Sequence, residues 1–351
     1  MFIGGIGTAA PIHRYSKAEC LESFYQSDWF HRLDARSHYI AQTVLKRDNG
    51  MEYRHLALDS LKEAFCIEPD TLAARFLRYA PQLAEEAGAN ALRTARIEAR
   101  QIDAVVVSTC TGYLCPGLSG YVVERLGLRP DVRAFDLVGQ GCAAALPNLR
   151  LGESLIASNS CHYVLSICVE VSSAAMYLDD DPGVLISACL FGDGAGAAVL
   201  SRTPTAERRV WWKHCASVIE PKQRDALKFE QSGGMLRNVL TRRVPALAAE
   251  HGLKVLETVL NTAQLHIKDV STWIMHAGGR DVLQAIERRF QLEPPSLRYS
   301  TAMLREYGNL SSAFVYFVLQ SALADQAPGG HWWLSSFGAG FSCHGALLEV
   351  A

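Results

Sequence analysis

The chain has 351 residues, 49% hydrophobic and 20% charged: too long for one small module, too apolar for disorder, and at about 150 residues per domain long enough for two domains or one doubled domain. With 34 Lys+Arg against 36 Asp+Glu, a formal charge of -2, the balance gives no electrostatic reason to expect a nucleic acid or an anionic membrane as partner. The start MFIGGIGTAAP lacks a positive n-region, no run of about 18 uncharged apolar residues occurs, and ten cysteines without CxxC pairs, mostly in apolar runs (Cys110, Cys161, Cys168, Cys189), read as reduced, buried thiols. The expected setting is the cytoplasm, with no disulfide framework, no metal site and no membrane insertion.

In chain order, Gly5-Ile6-Gly7-Thr8-Ala9-Ala10 superficially fits the dinucleotide pattern GxGxxA. It runs into Pro11 rather than a helix, with too little strand before it, so that reading is set aside. Helical period predicts helices over Met51–Phe65, Thr71–Tyr79 and Gln82–Ile97, with a break at Pro81, which removes a backbone donor. There follow a strand at Ala104–Thr109, helices at Ser119–Leu126 and Ala143–Asn159, and strands at Tyr163–Glu170, Gly196–Ser201 and Val210–Lys213. Asp179-Asp180-Asp181-Pro182 reads as a solvated turn rather than a cation site, because no further spaced carboxylates follow. Pro221–Pro245 is polar and glycine-containing, a surface excursion. The second half continues with a helix at Ala246–Ala263, a strand at Trp273–His276, helices at Asp281–Phe290, Thr301–Tyr307 and Ser311–Ala324, and a strand at Ala346–Val350. The pairs Trp211-Trp212 and Trp332-Trp333 read as core or interface aromatics.

Short apolar strands alternating with helices describe a layered α/β protein. The two ends also repeat one layout. AVVVSTCTGYLCPG, a helix and RLGLRP are matched by TWIMHAGG, a helix and RFQLEPP, while LFGDGAGAAVLS closes the first half as SFGAGFSCHGALLEV closes the second. The reading is a duplicated α/β fold with its seam in the polar segment Ser201–Arg209, giving halves 1–205 and 206–351.

Three windows can carry chemistry. In DLVGQGCAAALPNLR, Cys142 follows a glycine turn and opens a helical run, where unsatisfied N–H groups and the helix dipole favour a thiolate. Pro147 falls early in that helix and is expected to tighten or bend it. Taken alone, the window equally describes a buried filler cysteine. In WIMHAGGRDVL, His276 ends an apolar strand before two glycines, as a base exposed at a sheet end would, or as a satisfied structural histidine would. His214 and His266 have no glycine turn beside them. In EYGNLSSAFV, Asn309 is by itself an N-cap. Together they place a thiol, an imidazole and an amide at strand–turn and turn–helix junctions, where such groups can converge.

With GTAAP, STCTGYLCPG, GQGCAAALP, CLFGDGAG, HAGG, YGNLSSA and FGAG, the chain resembles the type III polyketide synthases, the chalcone-synthase-like branch of the thiolase-fold condensing enzymes, from residue 7 to residue 340. The 33 residues between His276 and Asn309 agree with that family better than with the bacterial ketosynthase III branch. The resemblance implies a duplicated thiolase-like αβαβα fold and a cytoplasmic homodimer that uses an acyl-CoA starter and malonyl-CoA, without a cofactor, to make a pyrone, resorcinol or related aromatic product. It assigns the acyl carrier to Cys142, paired as a thiolate with His276, and the enolate-stabilising donors to His276 and Asn309. By position, cavity walls fall at Cys110, Thr111, Ser172, Ala175, Ser187, Phe191, Asn238 and Ser311. Asn238 aligns where plant enzymes carry a second gating phenylalanine, which implies a wider, more polar gate and favours a long or bulky aliphatic starter. Phe191 is also readable as a core aromatic, and Cys115, which the resemblance puts at the dimer interface, as a buried small residue. CoA contacts are expected from Lys46, Arg47 and Arg54 on an N-terminal helix, each also readable as part of a solvated face, and from Gly278 and Gly279. Two departures, Ala277 after the histidine and Ala339 in the terminal loop, remove no reacting group. The rival functions are a single-condensation ketosynthase, a thioesterase built on the same three residues, and a non-catalytic dimer partner.

Overall fold

The computed structural model describes residues 1–351. Its strands are β1 (Phe2–Ala9), β2 (Arg14–Ser16), β3 (Tyr53–His55), β4 (Ala104–Ser108), β5 (Arg133–Leu137), β6 (Tyr163–Glu170), β7 (Gly194–Ser201), β8 (Val210–Ile219), β9 (Leu227–Ser232), β10 (Met235–Leu240), β11 (Val270–Met275), β12 (Gly330–Gly338) and β13 (Ser342–Val350). Its helices are α1 (Lys17–Tyr25), α2 (Asp28–Arg32), α3 (Ala35–Lys46), α4 (Pro69–Ala95), α5 (Leu118–Leu126), α6 (Ala145–Ala157), α7 (Pro182–Leu190), α8 (Val244–Ala263), α9 (Arg280–Phe290), α10 (Arg298–Tyr307) and α11 (Phe314–Ala324).

Nine strands form one continuous ladder in the order β11-β12-β13-β8-β1-β7-β6-β4-β5. The pattern is written twice: β1, β7, β6 and β4 pair antiparallel, antiparallel, parallel, and β8, β13, β12 and β11 do the same. The two sets meet only where Phe2 pairs with Trp211. Helices α6 and α11 lie between them: α6 touches β4 and β6 on one side and β12 and β13 on the other, and α11 bridges β1 and β7 to β11. Outside, α4 covers β1 and β7, and α8 covers β8 and β13. This is the five-layer duplicated arrangement.

Strand alternation sorts the core between layers. Ala104 and Val106 of β4 face the inner core with α6, while Val105 and Val107 join the outer core under α4. Gly5 and Gly7 lie inside β1, and a Cβ at either would collide with the backbone of α4, whose facing residues include Ala87, Ala91 and Ala95. That close approach is what the GxG pattern serves: it lies inside β1, with only Phe2–Gly4 of the strand ahead of it, and no helix follows it at Pro11.

Several expectations are corrected. α4 runs unbroken through Pro81; the carbonyl that loses its donor belongs to Leu77, an exposed residue, and the buried face of the helix outweighs the lost bond. Met51–Phe65 is not a helix but β3 followed by a short 3-10 turn, because β3 is captured by β2. The excursion at Pro221–Pro245 contains the β9–β10 hairpin. Pro147 is the third residue of α6, where no intrahelical donor is needed, so it is accommodated there. Among the cysteines expected to be buried, Cys161, Cys168 and Cys189 are, while Cys110 is half-buried. No helix is long and apolar enough to cross a membrane.

Candidate active site

Past the end of β5, Gly141 takes a left-handed φ of +55°, and a single 3-10 turn, Gly141–Ala143, precedes α6. Cys142 sits in that turn, just ahead of the helix, and is buried. The end of β12 clamps the turn, because the Ser336 hydroxyl donates to the Ala143 carbonyl at 3.0 Å. His276 follows β11 directly. Its backbone N–H donates to Ser335 O at 2.9 Å, and its ring stands edge-on to Phe314 and Phe337, with centroids 5.5 and 4.9 Å away.

Asn309 lies between α10 and α11. Its N–H donates to Leu190 O and its carbonyl accepts from Gly192 N–H, so it forms a bridge beside Phe191. Its Oδ1 accepts from Ser311 N–H at 2.9 Å, which orients the amide and leaves its NH2 as the donating end. Ser311 has φ +51°, a conformation uncommon for a residue with a Cβ, and its hydroxyl donates to Cys142 Sγ at 3.2 Å. Thiol and amide are therefore tied through Ser311, while His276 is flanked by Phe314, which opens α11 just after Ser311, and by Phe337 of β12, the strand that clamps the Cys142 turn.

Burial works against a thiolate–imidazolium pair. Burial pushes the Cys142 thiol up to about 12, only partly offset by the Ser311 hydrogen bond, and burial pushes His276 down to about 3. Neither ring nitrogen of His276 has a hydrogen-bond partner. Desolvation thus favours the neutral form of each group.

A residue the sequence reading missed organises the other wall. Glu170, fully buried at the end of β6, accepts from Cys110 N–H and Thr111 Oγ1 at 3.0 Å, from Ser311 Oγ at 3.3 Å and from Ser312 Oγ. Burial raises its pKa, and these donors pull against that rise. The signal was present: a single carboxylate closing the otherwise apolar run YVLSICVE.

Cys110, Thr111, Ser172, Ala175, Ser187, Phe191, Asn238 and Ser311 all line one cavity, with Met176, Tyr177, Val184, Ala188 and Phe229 completing it. Phe191 is thus a wall of that cavity. Phe229 and Asn238 face each other across the β9–β10 hairpin. Arg237, beside Asn238, pairs with Asp179 at 2.8 Å, Glu230 at 2.9 Å and Asp181 at 3.4 Å, and so fastens the hairpin to the start of α7. Asp181 also caps α7, and Asp180 accepts from the N–H of Asp34, which caps α3. The acidic triplet is a tie between three elements, not a free turn.

Lys46 ends α3, and Arg47 follows it, with its carbonyl held by Lys17 Nζ at 3.0 Å. Gly278 and Gly279 lead into α9, whose Arg280 pairs with Asp48 at 3.2 Å and donates its N–H to Asn49 O. The segment after Lys46 therefore adjoins the glycine turn beyond His276. Arg54 does not belong with them: it is buried on β3 and donates to the carbonyls of Ala188 and Phe191, out of reach of a phosphate in solvent. Cys115 is exposed rather than buried.

Residues 63–230 match the family described as FAE1/Type III polyketide synthase-like protein, and residues 215–349 match the C-terminal domain of chalcone and stilbene synthases. The chain is 30% identical over 361 residues to 1,3,6,8-tetrahydroxynaphthalene synthase of Streptomyces peucetius subsp. caesius, with 99% of this chain and 92% of the relative covered. It is 27% identical over 360 residues to 3,5-dihydroxyphenylacetyl-CoA synthase of Streptomyces toyocaensis, covering 99% and 89%. The structure of 1,3,6,8-tetrahydroxynaphthalene synthase from Streptomyces coelicolor A3(2) superposes with a TM-score of 0.88 at 23% identity over 99% of each chain, and that of PKS-I from the brown alga Ectocarpus siliculosus with 0.90 at 24% over 99% and 98%, a likeness of fold. With its duplicated layers and this full-length similarity, the chain belongs to the type III polyketide synthases, a family of acyltransferases.

Proposed function

We propose that the chain extends an acyl-CoA starter with malonyl-CoA by repeated decarboxylative Claisen condensation on Cys142 and then cyclises the product. The observation that carries this reading is a buried thiol bonded by Ser311, which also orients an amide whose NH2 end is free to donate, in a site whose other polar group is an imidazole with two unengaged nitrogens. With burial favouring the neutral form of each, the Cys142 proton passes to His276 as sulfur attacks the starter carbonyl, and it leaves again with the departing CoA thiolate. Loss of carbon dioxide from malonyl-CoA moves an electron pair onto the thioester oxygen. The Asn309 NH2 and an imidazole N–H stabilise that enolate, at about 3–4 kcal/mol per well-placed donor. Its carbon attacks the Cys142 thioester, sulfur leaves, and the lengthened chain is transferred from CoA back to Cys142. The thioester carbonyl is itself the electron sink, so no cofactor enters the scheme.

Lys46 and Arg47, with Gly278 and Gly279 nearby, are assigned to the CoA phosphates and pantetheine, supported by their common position on one side of His276. A homodimer is assigned to the edge strand β5, beside which Tyr113, Cys115 and Val138 are exposed, Tyr113 at 79% and Val138 at 62%. Incubation with malonyl-CoA and a panel of acyl-CoA starters, read by mass spectrometry, tests the reading. Pyrones or aromatic polyketides are expected; free acid alone would mean hydrolysis, and no turnover would leave only a scaffold.

A further inference from the structure

The β9–β10 hairpin is a two-stranded sheet of its own, outside the nine-strand ladder, and turns through Gly233 and Gly234. Two strands alone are marginal in water, so its position depends on what it is fastened to. Its faces differ. Phe229 and Asn238, directly paired across the strands, both line the reaction cavity, whereas their chain neighbours Glu230 and Arg237, also directly paired, belong to the opposite face and stay out of it. There the Arg237 guanidinium meets Glu230 of its own hairpin at 2.9 Å, and Asp179 and Asp181 at 2.8 and 3.4 Å. The two aspartates precede α7, which supplies Val184, Ser187 and Ala188 to the same cavity. β10 packs on α7 so closely that a Cβ on Gly183 would strike the Leu240 carbonyl, and nearer the turn Tyr177 and Ser232 share a hydrogen bond of 3.0 Å. A planar guanidinium bonded to carboxylates on both elements fixes direction as well as distance, which a single ammonium could not do.

Resting on the polyketide synthase reading, we propose that Arg237 is a positioning residue for chain length. By holding the hairpin on α7 it fixes how far Phe229 and Asn238 reach into the cavity, and so the number of extensions after which the chain leaves as one principal product. Each added unit has to find room against these walls, and a close-packed wall held in one place stops the chain at one length. A hairpin free to shift on α7 presents several wall positions and stops it at several lengths. Arg237 lies outside the cavity, so the loading of Cys142 does not depend on it.

The test gives the full-length protein malonyl-CoA and the starter it uses best, and measures by mass spectrometry the ratio of the principal product to products of every other chain length. Arg237→Ala is expected to lower that ratio about fivefold, what about 1 kcal/mol is worth in a partition, with single-turnover loading of Cys142 unchanged. Asp179→Asn, which keeps an acceptor without the charge, should shift it the same way by less. Lys228→Ala is the control: Lys228 bonds Asp225 at 2.9 Å and Glu230 at 3.5 Å, within the hairpin and the turn before it, and its loss should leave the wild-type ratio. An unchanged ratio in folded Arg237→Ala and Asp179→Asn, an equal fall in Lys228→Ala, or a fall in Cys142 loading that matches the fall in ratio would overturn the role of Arg237 while leaving polyketide synthesis intact. Absence of condensation by the wild type with every starter, including malonyl-CoA alone, would instead sink the parent reading and the role of Arg237 with it.

Discussion

On the Glu170 side of the site each carboxylate oxygen has donors from three residues, whereas on the His276 side neither ring nitrogen has a partner and the ring is held by aromatic edges. The first region is finished when the chain folds. The second is left incomplete, and a buried polar atom without a partner is tolerated where a substrate supplies one. Ser311 stands between them, with its hydroxyl shared between Glu170 and Cys142 and its backbone holding Asn309.

The comparison is broken most completely by Cys142→Ala, which is expected to abolish product formation while circular dichroism and melting stay near wild type; normal yield would refute the assignment. Asn309→Ala removes one enolate donor and should slow malonyl-CoA decarboxylation by about 10²–10³-fold, while starter loading measured in a single turnover falls far less. Equal loss in both steps would place the amide elsewhere. The desolvated pair is sharpened by alkylation with iodoacetamide. With the thiol pushed up to about 12, the rate at Cys142 should climb about tenfold per pH unit from pH 7 to 9, whereas a plateau already reached at pH 7 would reveal an ion pair. Glu170→Ala leaves several buried donors unsatisfied and should cost about 3 kcal/mol or more in chemical denaturation, whereas Glu170→Gln, which keeps acceptor and shape, should recover part of it. The smallest effect is expected from Arg237→Ala: its partners are partly solvated, so about 1 kcal/mol of stability and a rise in KM below tenfold, both shrinking in high salt.

Much of the fold was readable before any coordinates. The apolar runs at β4 and β6 and the periodic helices α5, α8 and α9 lie within a few residues of their expected places, because a continuous β-branched run and a sustained 3.6-residue period each have one cheap solution. Met51–Phe65 misled for the opposite reason. Its composition suits a helix, but Tyr53–His55 gains more by pairing with β2, a partner far away in sequence. β1 and β12 were missed because glycine and polar residues interrupt them, and these are the places where a helix backbone or the Cys142 turn presses closest.

What the amino-acid sequence determined by itself was the family resemblance, the placement of Cys142, His276 and Asn309 at strand ends and helix starts, and the doubling of the layers, since those follow from local patterning and short turn motifs. Tertiary structure alone decided their company: the Glu170 network, the desolvation of the thiol and imidazole, and the burial of Arg54. These depend on which segments, hundreds of residues apart, exclude water from one another, and exclusion of water is a property of packed surfaces that no short window of sequence contains.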